Sequence, residues 1–209
     1  MAQRFDTAIW RARAISALAQ LTAIFIGVTL AFLFEGYRKQ LDEAADLRQA
    51  IDGIVYELDH YAERGMFHVQ KFEQSIEAWH QADREGRQAA PVVYRLPGAL
   101  TPPAAAWESA LSSGAASHLD PALKLEIGYF YNEFRGVHAN YQRQVEFAER
   151  EVMPRALQSP AAFYGADGKL RPEFLVHLTL VGEFAADIRR LCGRAMELKH
   201  KLELAQGAK

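Results

Sequence analysis

Near the N-terminus, 21 successive residues carry no charge: Ala14-Ile-Ser-Ala-Leu-Ala-Gln-Leu-Thr-Ala-Ile-Phe-Ile-Gly-Val-Thr-Leu-Ala-Phe-Leu-Phe34. At about 1.5 Å of rise per residue, a helix of this length covers the roughly 30 Å hydrocarbon core of a bilayer. Aromatic and cationic residues of the kind found at membrane interfaces flank it: Trp10, Arg11 and Arg13 before it, and Tyr37, Arg38 and Lys39 after it. The sequence therefore predicts one transmembrane helix over residues 14–34.

Two other interpretations of this segment stay open. Gln20, Thr22 and Thr29 lower its hydrophobicity, so a buried core helix is one alternative. A cleaved signal peptide has a similar apolar segment, but no small-x-small cleavage site follows Phe34. We therefore predict an uncleaved anchor in contact with the lipid membrane.

The cations around the span predict its orientation. Arg4, Arg11, Arg13 and the α-amino group precede it, against Arg38, Lys39 and Arg48 after it. This small excess favours a cytoplasmic N-terminus. The predicted location is the inner (plasma) membrane in a single pass, with the soluble domain periplasmic rather than cytoplasmic, and the opposite topology stays open.

Small residues recur at every fourth position inside the span: Ala19, Ala23, Gly27 and Ala31. Such a ridge lets a second helix backbone approach closely in the bilayer. We predict pairing with another membrane helix, from a second copy or from a partner protein. Alanine-rich composition alone is the alternative explanation.

One long helix is predicted to continue from the span, because neither a proline nor a cap stands between Glu35 and Arg84, and Gly65 is a candidate bend. Apolar residues return at spacings of three and four: Leu47, Ile51, Ile54, Leu58, Tyr61, Val69, Phe72, Ile76 and Trp79. The heptad-like part fits a coiled coil between protomers or a seam within one chain. The second is favoured because later segments carry matching apolar stripes.

The rest of the chain alternates breaking signals with helical periodicity. Prolines and glycines predict a loop over residues 86–103, and Thr101 with Pro102 predicts the start of a short helix that ends near Gly114. Asp120 and the proline after it begin a long aromatic-rich helix that keeps its period until Pro154. A last long helix is predicted to start at Pro172.

The predicted fold is therefore all-α, with an N-terminal transmembrane helix continuing into an elongated bundle of three long helices plus one short helix. The predicted organisation is an N-terminal arm over 1–13, the transmembrane helix over 14–34, a helical bundle domain over 35–205 and a tail over 206–209.

Composition narrows the function. The net charge is −2, with acids and bases interspersed, so we predict no nucleic-acid partner. The one cysteine, Cys192, falls on an apolar-periodic position, which predicts a small buried side chain.

Two Glu-x-x-His segments, Glu57 to His60 and Glu197 to His200, match the spacing of di-metal carboxylate sites in helical bundles. His200 lies away from the apolar stripe of its helix, and an up-down-up path would place the two pairs at different heights. No nucleophile elbow, phosphate loop, dinucleotide fingerprint or zinc motif occurs. We predict no catalytic residue, no metal and no cofactor, and a helical-bundle metalloenzyme is the remote alternative.

The most unusual local cluster is Trp107 with Ser112, Ser113 and Gly114, ahead of Tyr129 on the next helix. It is a candidate pocket or partner contact. The alternative is a lid helix, in which Trp107 fills one end of the bundle and Gly114 takes a positive φ to end the helix.

Two segments together carry a resemblance: Gly27-Val-Thr-Leu-Ala-Phe32, and Trp107-Glu-Ser-Ala-Leu-Ser-Ser-Gly114 followed by Tyr129. They resemble a domain-of-unknown-function family of bacterial single-span membrane-anchored helical proteins. The likeness covers the anchor, the first helix and the middle segment. It implies the topology and brings no activity.

These features predict a non-enzymatic, membrane-anchored helical binding or sensor module that engages a partner protein or ligand. The alternative is an accessory subunit or assembly factor of a larger membrane complex, in which the aromatic helix from Asp120 to Pro154 docks onto another subunit.

Overall fold

The structure is a computed structural model that describes residues 7–91 and 104–207, with side chains from Gln20 onward except that of Ala23. Its α-helices are α1 (Thr7–Arg84), α2 (Ala105–Ser112), α3 (Pro121–Phe147), α4 (Met153–Ala156) and α5 (Pro172–Gly207). Within these ranges no strand forms, and an isolated antiparallel bridge joins Tyr164 to Leu170. The predicted all-helical class is confirmed, with α1, α3 and α5 as the three long helices and α2 as the short one.

The start of α3 follows its predicted signals, Asp120 as cap and Pro121 as first helical residue. The Asp120 carboxylate accepts hydrogen bonds from the backbone N–H groups of Ala122 and Leu123 at 3.0 and 3.2 Å, and Pro121 is the first helical residue. Helix α2 begins at Ala105 without a side-chain cap on Ala104. The predicted cap at Thr101 and Pro102 lies outside the described residues.

The end of α3 differs from the sequence prediction. Its regular turns end at Phe147, and a π-helical turn (Ala148–Val152) connects it to α4, which contains Pro154. Proline lacks an N–H and its ring clashes with the carbonyl four residues earlier in an α-helix. A wider turn just before the proline is where such a conflict is commonly relieved, because the i to i−4 ladder is already interrupted there.

The chain divides into two units, one ending at Asp46 and the other beginning at Leu47. In the second unit the apolar stripes of α1, α3 and α5 form one core. Aromatic rings connect the helices edge to face or stacked: Tyr61 with Phe134 at 4.5 Å between centroids, Phe72 with Phe184 at 5.6 Å, and Tyr141 with Phe184 at 4.8 Å. The heptad-like residues Leu47, Ile51, Ile54 and Leu58 are buried in this core, so they form a seam within the chain.

Helices α1 and α5 approach each other closely at Gly65. A Cβ built there would overlap the Sγ of Cys192 and lie 3.2 Å from Cγ2 of Ile188. The glycine therefore serves a close approach of two helices, and α1 is continuous through it. Cys192 is 2 % exposed, as its place on the apolar stripe predicted.

A second, smaller hydrophobic cluster forms around the segment that connects α3 to α5. Its buried members are Val152, Phe163, Tyr164 and Phe174. The Tyr164 hydroxyl donates to the carbonyl of Ala89 and accepts from its N–H, each at 3.0 Å. This pair of hydrogen bonds fixes the segment that follows α1 against the cluster.

Charged side chains of α5 form ion pairs with both neighbouring helices. Lys199 reaches Asp59 on α1 at 2.5 Å, and Lys201 reaches Glu126 on α3 at 2.6 Å. Arg190 and Arg194 both contact the Glu133 carboxylate. Ion pairs this exposed contribute little to the free energy of unfolding, so their main effect is to favour one register of the helices.

The first unit exposes its apolar side chains. Of its large hydrophobic residues, Ile24 is 63 %, Phe25 72 % and Phe32 69 % exposed. Helix α1 holds an apolar stretch near the N-terminus that is long enough to cross a membrane, by length and composition. The Thr29 hydroxyl donates to the carbonyl of Phe25 at 2.8 Å, so this polar group is satisfied within the helix.

Candidate functional site

Trp107 lies inside the second unit. It is 5 % exposed, and its ring is parallel to that of Tyr131 on α3, with 6.3 Å between centroids. The indole therefore fills space between α2 and α3 with its own apolar surface. A buried Trp107 is what the lid-helix alternative predicts, in which α2 covers the core.

Glu57 on α1 joins the same cluster. One of its carboxylate oxygens accepts a 2.7 Å hydrogen bond from the Tyr131 hydroxyl, and the other accepts a 2.9 Å hydrogen bond from the N–H of Ala106. The second bond satisfies one of the N–H groups that the first turn of α2 leaves unpaired. Burial, followed by the hydrogen bond to Glu57 and its negative charge, raises the pKa of Tyr131, so the phenol stays a proton donor.

The remaining residues of this candidate site serve the end of α2 or face elsewhere. The Ser112 hydroxyl donates to the carbonyl of Ser109 at 3.0 Å, and Gly114 has φ of 83°. Tyr129 is 65 % exposed. It precedes Tyr131 by two residues, about 200° around the helix, so it lies on a different face of α3 from Trp107. The Ser113 hydroxyl donates to the carbonyl of Ala110 at 3.4 Å.

The two Glu-x-x-His segments lie at the same level of α1 and α5, because Lys199 contacts Asp59 at 2.5 Å, so the predicted difference in height is wrong. Glu57 is used by Tyr131 and Ala106, and His60 is exposed and stacks on Tyr56 with 6.1 Å between ring centroids. Glu197 and His200 are exposed on α5. In the part of the chain that the structure describes, no group of three His, Cys, Asp or Glu residues is placed to hold a metal ion.

The small-residue ridge of the span is open on the two positions whose surroundings are described. A Cβ at Gly27 would meet nothing within 4 Å, and Ala31 is exposed. The side chains of Ala19 and Ala23 lie outside the described ones.

A groove of about 400 Å³ lies between α3 and α5. Two contacts across it show how the antiparallel helices align: the Gln144 amide donates to the carbonyl of Leu180 at 3.0 Å, and the rings of Phe147 and His177 lie 5.4 Å apart. Its volume is within the usual range of small-molecule sites.

The groove combines apolar and charged walls. Helix α3 contributes Arg143, and α5 contributes Glu183 and Asp187. Asp187 is paired with Arg190 at 2.9 Å. His177, which is 4 % exposed, is the buried polar residue of the lining. The groove was not predicted from the sequence, where its one visible signal is a histidine on the apolar stripe of α5.

Comparison with protein-family models, with curated proteins and with solved structures found no match to this chain. The family resemblance carried by residues 27–32 and 107–114 stays a prediction. Inferences about function therefore rest on the residues of the chain itself.

Proposed function

We propose that this protein is a membrane-anchored helical binding module without catalytic activity of its own, which engages a partner protein or a ligand outside the bilayer core. Residues 14–34 anchor it in a bacterial inner membrane in a single pass. The excess of cations before the span supports a cytoplasmic N-terminus and a periplasmic bundle.

The observation that carries the proposal is the exposure of the apolar side chains of the span. Large apolar side chains between 60 and 72 % exposed lie on all sides of the helix: Leu21, Ile24, Phe25, Leu30, Leu33 and Phe34. A helix that is apolar all round belongs in a large core or in lipid. Because no described part of the chain covers these side chains, lipid is the environment that removes them from water, at about 25 cal/mol per Å².

The ridge at Gly27 and Ala31 supports a second membrane helix as partner. In lipid there is no hydrophobic drive between helices, so close packing at small residues supplies association. A neighbouring helix, from another copy or another protein, fits against this side of the span.

Site-directed crosslinking tests the partner directly, because the native thiol of Cys192 is buried. Gly27→Cys in intact membranes, treated with a bifunctional thiol or photoactivatable reagent, should give a discrete crosslinked product. Phe25→Cys, about 200° around the helix, is the matched control. Equal or absent products from the two variants would contradict a helix partner on this ridge.

A second candidate, an accessory subunit or assembly factor, is favoured by the outer surface of α3. Leu125 and Tyr129 lie one turn apart and are 60 and 65 % exposed. Exposed apolar side chains that cluster in this way are typical of protein contact surfaces. If α3 docks onto a larger complex, Tyr129→Ser should reduce co-purification of the complex from native membranes. Tyr56→Ser, an equally exposed tyrosine on α1, should not.

A further inference from the structure

We infer that the groove between α3 and α5 binds a small zwitterion of the amino-acid type with an apolar side chain. The inference rests on the proposed binding function and specifies its ligand. The groove lies wholly within the second unit, and the described helices α3 and α5 supply its walls.

The charged groups of the groove can bind both the carboxylate and the ammonium group of such a ligand. Arg143 on α3 hydrogen-bonds to Asn140 and forms no ion pair within the described chain, and Glu183 on α5 likewise has no cationic partner there. An unpaired guanidinium binds a carboxylate through two parallel hydrogen bonds. An unpaired carboxylate on the opposite wall binds an ammonium group.

The alignment of the two helices places both groups at a similar level of the groove, where one ligand that carries both charges can meet them. Gln144 faces Leu180 and Phe147 faces His177 across the groove, so positions near 143 and 183 occupy the same level of the antiparallel pair. An α-amino acid carries its carboxylate and its ammonium group on the same carbon atom. It therefore bridges the walls at that level.

The other residues that line the groove favour a ligand with an apolar side chain. Phe147, Leu180 and Phe184 form the apolar part of the groove, while Asp187 is engaged by Arg190. An aliphatic or aromatic side chain buries its surface against these residues, as ligands do in predominantly apolar sites with a few polar groups that fix orientation.

The test is isothermal titration of the full chain in detergent micelles with three probes: L-leucine, N-acetyl-L-leucine, which lacks the ammonium, and L-leucinamide, which lacks the carboxylate. We expect L-leucine to bind with a Kd below about 1 mM. Each analogue should bind at least about tenfold more weakly, as for the loss of one charge-assisted hydrogen bond.

Substitutions in the groove test whether Arg143 binds the carboxylate of the ligand and Glu183 binds its ammonium group. Arg143→Gln should weaken the binding of L-leucine about tenfold and leave the affinity for L-leucinamide unchanged, because that probe has no carboxylate for Arg143 to bind. Glu183→Gln should weaken L-leucine equally and leave N-acetyl-L-leucine unchanged. Arg48→Gln and Glu146→Gln, which alter exposed residues outside the lining, should change no affinity.

The inference is overturned if L-leucine gives no binding at millimolar concentration, if the three probes bind equally, or if the groove variants behave like the controls. These failures are separate from failure of the proposed function. A chain that stays in membranes and crosslinks through Gly27→Cys would retain its role as an anchored module and lose only this ligand.

Discussion

The Tyr131 hydroxyl donates a 2.7 Å hydrogen bond to the carboxylate of Glu57, a residue 74 positions earlier in the chain. The other oxygen of the same carboxylate accepts from the first turn of α2. The half-buried side chain of Glu57 on α1 thus hydrogen-bonds to both α3 and α2. The ring of Trp107 stacks on that of Tyr131, whose hydroxyl Glu57 binds.

Glu57→Ala should lower the free energy of unfolding by about 2 kcal/mol or more, because it leaves the Tyr131 hydroxyl and the Ala106 N–H without their acceptor. Urea unfolding followed by far-ultraviolet circular dichroism, on the full chain in micelles, measures the loss. Glu63→Ala, an exposed position six residues further along α1, should change stability by less than about 0.5 kcal/mol. Equal effects of the two substitutions would refute the capping role.

Tyr131→Phe should cost about 1 to 2 kcal/mol near neutral pH, and this cost should shrink above pH 10. The folded state raises the pKa of Tyr131 above its unfolded value of about 10. Its contribution to stability is therefore fully present below that unfolded pKa and falls as pH rises beyond it, because the unfolded chain loses the proton first. Stability curves of the two proteins that stay parallel between pH 8 and about 11 would show that the phenol is not held protonated.

Gly65→Ala should destabilise the bundle by about 1 to 3 kcal/mol although alanine favours helices, because its Cβ overlaps the Sγ of Cys192. Gly65→Ala combined with Cys192→Ala should be more stable than the sum of the two single changes, since the clashing sulfur is gone. The matched control is Gly136→Ala on α3, where a Cβ meets nothing within 4 Å. It should stabilise by roughly 0.5 to 1 kcal/mol. Additive single effects at 65 and 192 would disprove the contact.

The Cys192 thiol should resist a thiol-specific reagent at pH 8 in the folded protein, because burial raises its pKa to about 11 and leaves little reactive thiolate. Its reaction should become fast only in denaturant. Absorbance on release of a chromogenic thiol reports the rate, and the unfolded chain supplies the reference. Rapid labelling without denaturant would place the thiol outside the core.

The sequence predicted the long helices because their apolar spacing and the Asp120 cap are local signals. Burial of Cys192 followed from the same periodicity. The end of α3 was predicted at Pro154 and lies at Phe147, because the turn that accommodates a proline forms before it and has no signature of its own.

The features missing from the sequence prediction all depend on contacts between distant segments. Glu57 was considered for a metal site, and its partners Ala106 and Tyr131 became visible only once the helices were packed. Gly65 was predicted as a possible bend in α1. In the structure it instead allows the close approach of Cys192 on α5. The groove likewise depends on the alignment of α3 with α5, which periodicity along one helix cannot supply.

The lipid preference of residues 14–34 is tested most directly by centrifugation of intact, detergent-free membranes followed by extraction at alkaline pH. The native chain should remain entirely in the membrane pellet and dissolve only with detergent. Ile24→Arg, which places a charge mid-span at a cost of roughly 2.5 to 3.5 kcal/mol, should release a substantial fraction. Native chain recovered in the supernatant would contradict the anchor and the function proposed from it.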